Sequence, residues 1–168
     1  LAGIDGTTLT FSKNATVSGT ATLTFATHHP FIGGASVRCT VVLANDAANT
    51  SGLGTGPVTF NGGTIRMYEN SNTYNSSTWN MIVPIGSSGT LKADPRGDLY
   101  GSLSGGGTFD LYVPWIRTSL LGNWAPFSGQ INVTTDGDGG DFRVYNSNGY
   151  FNASIHFGPK VKAYARNN

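Results

Sequence analysis

Apolar and polar residues alternate along most of the chain, and the clearest run lies within residues 105–133, GGGTFDLYVPWIRTSLLGNWAPFSGQINV. There Phe109, Leu111, Val113 and Trp115 alternate with Asp110, Tyr112 and Pro114. That is the period of a half-buried strand. Pro114 has no N–H to give a ladder, so the strand is expected to end there and Trp115 to lead the chain off the sheet. After an aromatic loop, Gly129 reopens a strand in which Ile131 and Val133 share the inner face.

The same period recurs elsewhere, punctuated by glycine. Leu9 and Phe11 open it, and Leu23 and Phe25 follow in TATLTFAT. Val37, Cys39, Val41 and Leu43 share a face after Gly33-Gly34. Ile65 and Met67 follow Gly62-Gly63, and Trp79, Met81, Val83 and Ile85 alternate in TWNMIVPIG. A short strand is expected around residues 99–103. In the final segment Phe151, Ala153, Ile155 and Phe157 oppose Asn152, Ser154 and His156. Two polar excursions, 45–56 and 70–77, read as long end loops. Residues 116–121 have room for one helical turn at most.

This pattern predicts about eight or nine strands and no helix of ordinary length. The expected fold is all-β: an antiparallel two-sheet sandwich of the eight-stranded jelly-roll type, in one domain spanning 1–168, with no internal repeat. Its predicted core is Val37, Val41, Ile65, Val83, Phe109, Leu111, Ile131, Phe151 and Ile155.

Composition narrows the functions. Charged residues make up 11% of the 168 and the net charge is +1, which argues against strong non-specific nucleic-acid binding. Gly, Ser, Thr and Asn fill the polar positions, a surface suited to packing against copies of itself or against sugars. Cys39 is the single cysteine, so no intrachain disulfide or thiolate cluster can form. No apolar run reaches membrane-span length, and no signal peptide is read at the start. The first residue, Leu1, is expected to mark a processed or trimmed product.

With the strands written out, the chain resembles the coat-protein jelly roll of picorna-like viruses, most of all the comovirus- and nepovirus-type plant viruses. The similar features are TFDLYVPW (108–115), the aromatic loop, SGQINVTT (128–135), YFNASIHFGPKV (150–161) and, in the first half, FATHHPFIGGASVRCTVV (25–42). The likeness runs from about Leu23 onward, in pattern and order more than in identical residues. It implies a polyprotein-processed coat subunit located in the virion. The chain is short for a comovirus coat protein, lacks a basic arm, and has loops unusually rich in Gly and Asn.

Chemistry-bearing motifs are few. Asp136, Asp138 and Asp141 in DGDGGD have the look of a calcium loop, being closely spaced carboxylates, but the oxygen ligand at the fifth position and the Glu at the twelfth, here Ser147, are missing; an acidic turn is the favoured reading. Arg96-Gly97-Asp98 matches an integrin-type tripeptide but is also good turn chemistry after Pro95. His28 and His29 are adjacent and point to opposite faces of a strand, so they cannot grip one metal together. His156 falls on a polar face. Glu69 is the sole glutamate, no serine sits in a Gly-x-Ser-x-Gly elbow, and a carboxylate pair from Asp98 and Asp110 would need a tertiary accident. Asn14, Asn49, Asn75, Asn132 and Asn152 open glycosylation sequons.

The function expected on these grounds is a structural coat protein, not an enzyme and without cofactor or metal, that packs with sibling subunits into an icosahedral capsid. Trp115, Trp124 and Phe127 are the expected subunit contacts. Lys160, Lys162 and Arg166 are the expected cations facing encapsidated RNA, with no membrane partner. The alternatives are an extracellular adhesin or pilus-type sandwich that recognises carbohydrate through aromatics, a phage fibre or decoration protein, and a carbohydrate-binding module.

Overall fold

The computed structural model describes residues 15–17, 22–25, 35–38, 40–43, 53, 56–67, 76–93, 97–113, 118–136, 141–145 and 152–166. Sixteen short strands are found there: β1 (Ala15–Val17), β2 (Thr22–Phe25), β3 (Ala35–Val37), β4 (Thr40–Leu43), β5 (Val58–Phe60), β6 (Thr64–Met67), β7 (Met81–Val83), β8 (Ser88–Ala93), β9 (Gly97–Leu99), β10 (Leu103–Gly105), β11 (Thr108–Tyr112), β12 (Thr118–Leu120), β13 (Gln130–Thr134), β14 (Asp141–Tyr145), β15 (Ser154–Phe157) and β16 (Lys162–Arg166). They form three sheets. Sheet 1 runs β1-β3-β5-β7-β10, sheet 2 runs β2-β4-β6-β8-β11-β13-β15, and sheet 3 runs β16-β14-β12-β9.

Every strand pairing is parallel. This overturns the antiparallel jelly-roll expectation: the chain is a β-solenoid. Parallel neighbours need a crossover of a dozen or more residues. Here the rest of each coil is that crossover, so one turn of chain visits the sheets in succession and lands on itself. Ladder partners lie 18 positions apart from Thr22 to Thr40, 26 from Thr64 to Thr90 and 22 from Asp110 to Asn132. An internal repeat therefore exists where none was expected.

The ladders continue around the corners. Tyr100 N–H donates to Ser77 O (2.8 Å), Gly122 N–H to Leu99 O (2.8 Å), Thr108 N–H to Ser87 O and Gln130 N–H to Gly107 O (both 3.0 Å). Glycine lets adjacent coils approach there. Gly105 holds φ at +103°, and a Cβ on it would lie 2.1 Å from Val83 O; one on Gly129 would lie 2.0 Å from Gly107 O. Both approaches are closed to any other residue.

The core is the bore of the solenoid. On sheet 2, Val41, Ile65, Leu91, Leu111 and Val133 stack in register, one per coil, all fully buried. Each buried aliphatic of this kind contributes about 1.5–3 kcal/mol. Phe109 is the aromatic hub: its ring meets Phe60 at 5.7 Å and Trp124 at 5.6 Å, both edge-on, the geometry the ring quadrupoles favour. Gly89 sits against Phe60, where an added Cβ would come within 2.3 Å of the Phe60 Cβ.

Of the expected core, Val37, Val41, Ile65, Val83, Phe109, Leu111 and Ile131 are buried, Ile155 packs against the core from a half-buried position, and Phe151 lies outside the described residues. Three local expectations are corrected. Ile85 does not join the Trp79, Met81, Val83 face; it is 86% exposed at a turn. Residues 118–120 form β12 rather than a helical turn, and the single strand expected near 99–103 is two, β9 and β10, separated by a corner.

Candidate functional site

Alternation along the strands of sheet 2 leaves every second side chain on its outer face. Register arranges these residues as a grid, with strands about 4.8 Å apart and rows nearly 7 Å apart. One row is Ser88, Thr108, Gln130 and Ser154. The next is Thr40, Thr64, Thr90, Asp110, Asn132 and His156. A third is Arg66, Lys92, Tyr112 and Thr134. These residues are polar apart from the tyrosine ring, and the third row continues in register from Arg66 to Val42.

Its centre is organised by one hydrogen bond between neighbouring coils and one along a strand. Asn132 Nδ2 donates to Asp110 Oδ1 at 2.7 Å, and Gln130 Nε2 donates to Asn132 Oδ1 at 2.8 Å. Three planar polar groups are thereby linked around a corner of the grid, along β13 from Gln130 to Asn132 and across to Asp110. Beside them Lys92 places its Nζ 5.9 Å from the centre of the Tyr112 ring. At the corner with sheet 1 the face runs into a shallow groove of about 370 Å³ lined by Gly86, Ser87, Ser88, Gly106, Gly107, Thr108 and Gln130. Ile85 stands at this corner, close enough to Gly106 that a Cβ there would lie 2.9 Å from Ile85 Cγ1. The arrangement offers hydroxyls, amides, one carboxylate and an aromatic ring on a rigid frame. Among the described residues no three His, Cys, Asp or Glu side chains gather as metal ligands.

The residues singled out from sequence fall elsewhere. Trp124 and Phe127, expected at a subunit contact, are fully buried within the single chain. Trp124 donates its Nε1 proton to Gly101 O at 3.1 Å and packs on Phe109. The aromatic loop does not project from the end of a sandwich; it is a corner whose bulky residues fill the bore. Trp115 lies outside the described residues. Trp79 is also buried, so two of the three tryptophans belong to the core.

Lys160, Lys162 and Arg166 are exposed on the last coil, with Lys160 in the left-handed region at φ 69°. Asp98 is 9% exposed in β9, and its own N–H donates to Ser76 Oγ at 3.2 Å. A buried strand residue fits neither the integrin-type loop nor the turn expected of that tripeptide. Asp98 accepts from the Tyr100 hydroxyl at 3.4 Å; desolvation, then the nearby carboxylate and this bond, raise the Tyr100 pKa above its ordinary value. Asp141 receives both Nε and Nη2 of Arg143, which occupies the carboxylate that a calcium loop would need. That hydrogen bond leads the causes raising the Arg143 pKa. Residues 137–140, with Asp138, lie outside the described set, as do His28 and His29.

The grid was not found by motif. Its signal was present as Gly-Thr-Ile-Arg-Met (63–67), Gly-Thr-Leu-Lys-Ala (89–93), Gly-Thr-Phe-Asp-Leu (107–111) and Gly-Gln-Ile-Asn-Val (129–133), a recurring glycine, polar residue and alternating triplet. Spacings of 26, 18 and 22 between those glycines disguise the period, and the unit slips by two residues against the ladder at β11, where Thr108 pairs with Ser88 and not with Thr90. No family model, curated protein or solved structure matches this chain, and none identifies it with the picorna-like coat proteins.

Proposed function

We propose that this chain is a non-catalytic recognition module that binds glycan chains along the outer face of sheet 2, in the manner of an adhesin or the tip of a fibre. The observation that carries the reading is the hydrogen-bonded cluster of Gln130, Asn132 and Asp110 beside Tyr112, fixed by bonds of 2.7 and 2.8 Å. Planar amide and carboxylate groups accept and donate to adjacent sugar hydroxyls, and an aromatic ring receives the C–H face of a pyranose. The four strands β8, β11, β13 and β15 span about 14 Å, room for about three sugar rings. Rigid strands hold the groups in place, so little ordering cost is left to binding.

The icosahedral-coat expectation rested on a jelly-roll wedge with projecting end loops, and the parallel coils replace both. The adhesin and fibre readings need only an extended rigid sheet. The test is a glycan array and a panel of soluble polysaccharides. We expect at least one neutral or weakly charged glycan to bind, and Asp110→Ala and Tyr112→Ala each to weaken it about tenfold with an unchanged circular dichroism spectrum. An array without a hit, or a hit indifferent to both substitutions, overturns the proposal.

A further inference from the structure

The corner between sheets 1 and 2 changes length on one coil. Register sets Val83 opposite Gly105 and Ser88 opposite Thr108, so residues 84–87 round the corner where 106 and 107 suffice on the next coil. Gly105 opposite Phe127 and Thr108 opposite Gln130 leave 128 and 129 for the coil after that. The corner between β7 and β8 thus holds two residues more than either. They leave the sheet as a turn that Ser87 N–H closes on Pro84 O at 3.0 Å, with Gly86 at φ +79°, as the third residue of a type II turn requires. Ile85 is carried out on it to 86% exposure. A lone exposed isoleucine means little, but this one leans over a corner built of glycine. A Cβ on Gly106 would lie 2.9 Å from Ile85 Cγ1, and one on Gly107 would lie 2.4 Å from Ser87 O. The groove of about 370 Å³ beside sheet 2 is the outcome: bare backbone at Gly86, Gly106 and Gly107, and Ser88, Thr108 and Gln130 as its polar side. Gln130 gives Nε2 to Asn132 Oδ1 at 2.8 Å, which leaves its Oε1 to accept a proton.

We propose that this groove is a subsite for the acetamido group of an N-acetylated hexosamine, and that the glycan taken by sheet 2 contains such a sugar. An acetamido group carries one N–H donor, one C=O acceptor and one methyl on a planar frame. Gln130 Oε1 accepts from the N–H, the hydroxyls of Ser88 and Thr108 donate to the C=O, and the methyl lies against Ile85 at the lip of the groove. Glycine at the corner lets the group come down onto backbone that any side chain would cover. A plain hydroxyl in its place reaches only part of this set and leaves Ile85 in water. The ammonium of a deacetylated sugar brings neither carbonyl nor methyl. The subsite rests on the reading of sheet 2 as a glycan face and adds to it a preference among glycans.

The test compares sugars that differ only in that group. Chitotriose, its deacetylated form and cellotriose make one series, and N-acetylgalactosamine, galactosamine and galactose make a second; each is titrated against the full chain by calorimetry. In at least one series the acetylated sugar is expected to bind at least about tenfold more tightly than both analogues. Its acetamido methyl is expected to show the strongest saturation transfer in proton NMR. Ile85→Ser, altered only at an exposed turn, is expected to remove the preference with an unchanged circular dichroism spectrum. Glycan binding without that preference, or a preference that Ile85→Ser retains, overturns the subsite and leaves the glycan face standing. The absence of any glycan binding overturns both.

Discussion

Ile131 and Ile155 are ladder partners one coil apart, as are Val133 and Phe157, yet the two coils differ sharply in burial. Ile131 and Val133 are fully buried, Ile155 is half-buried, and Phe157 is 48% exposed. Side-chain direction is the same in both. The difference is that, among the described residues, β13 has a coil on each side and β15 has one. In a solenoid an inward residue is buried by its neighbours along the axis as much as by the opposite sheet, so stability accumulates coil by coil. The middle coils are buried frame, and the last described coil exposes apolar and basic side chains.

The largest expected effect tests that contrast directly. Phe109→Ala or Trp124→Ala, each removing a ring from the hub of the bore, should cost about 3–5 kcal/mol in urea unfolding. Phe157→Ala should cost about 1 kcal/mol. Near-equal losses would mean that the last coil is buried by something in solution. For Trp124 the outcome also separates core from interface, because an interface tryptophan would leave the lone chain as stable as before.

A smaller effect sharpens the account of the frame. Gly89→Ala places a methyl within 2.3 Å of the Phe60 Cβ, and overpacking of this kind costs about 1–3 kcal/mol. Adding Phe60→Gly to that variant should cost less than the two single changes together, since the second change removes the Cβ and ring that the first collides with. Strict additivity would show that the two residues do not meet.

The smallest effect is one of pH. The Tyr100 pKa is raised in the folded chain by desolvation and by Asp98. A raised folded value means that the contribution to stability is fully present below the ordinary value of about 10 and is lost as pH rises through the folded value. Tyr100 is 51% exposed, so solvent screens much of it. Melting temperature followed upward from about pH 9 should fall slightly more steeply for the native chain than for Tyr100→Phe; identical slopes would remove the Asp98 contact from the account.

Much of the inside and outside was legible without coordinates. The alternation at Phe109 and Leu111, or at Ile131 and Val133, states which side chains face inward, because the pleat alone imposes a period of two. The outer residues Asp110 and Asn132 were legible in the same way as polar positions, but not as neighbours. What the alternation leaves undetermined is strand direction. A half-buried strand has the same period whether its partner runs parallel or antiparallel, and one-sided parallel sheets outside α/β folds are uncommon enough that the sandwich was the natural expectation. The recurring Gly-polar-alternating unit pointed to a repeat, but spacings from 18 to 26 residues blurred it. Trp124 shows the cost of that ambiguity: in a sandwich its loop would be an exposed tip, while in a coil it is a corner turned toward the bore. Local sterics and hydrophobicity settle the face of each residue. Only closure of each coil onto the last, through hydrogen bonds between residues about 22 positions apart, decides which residues become neighbours and so where a site can lie.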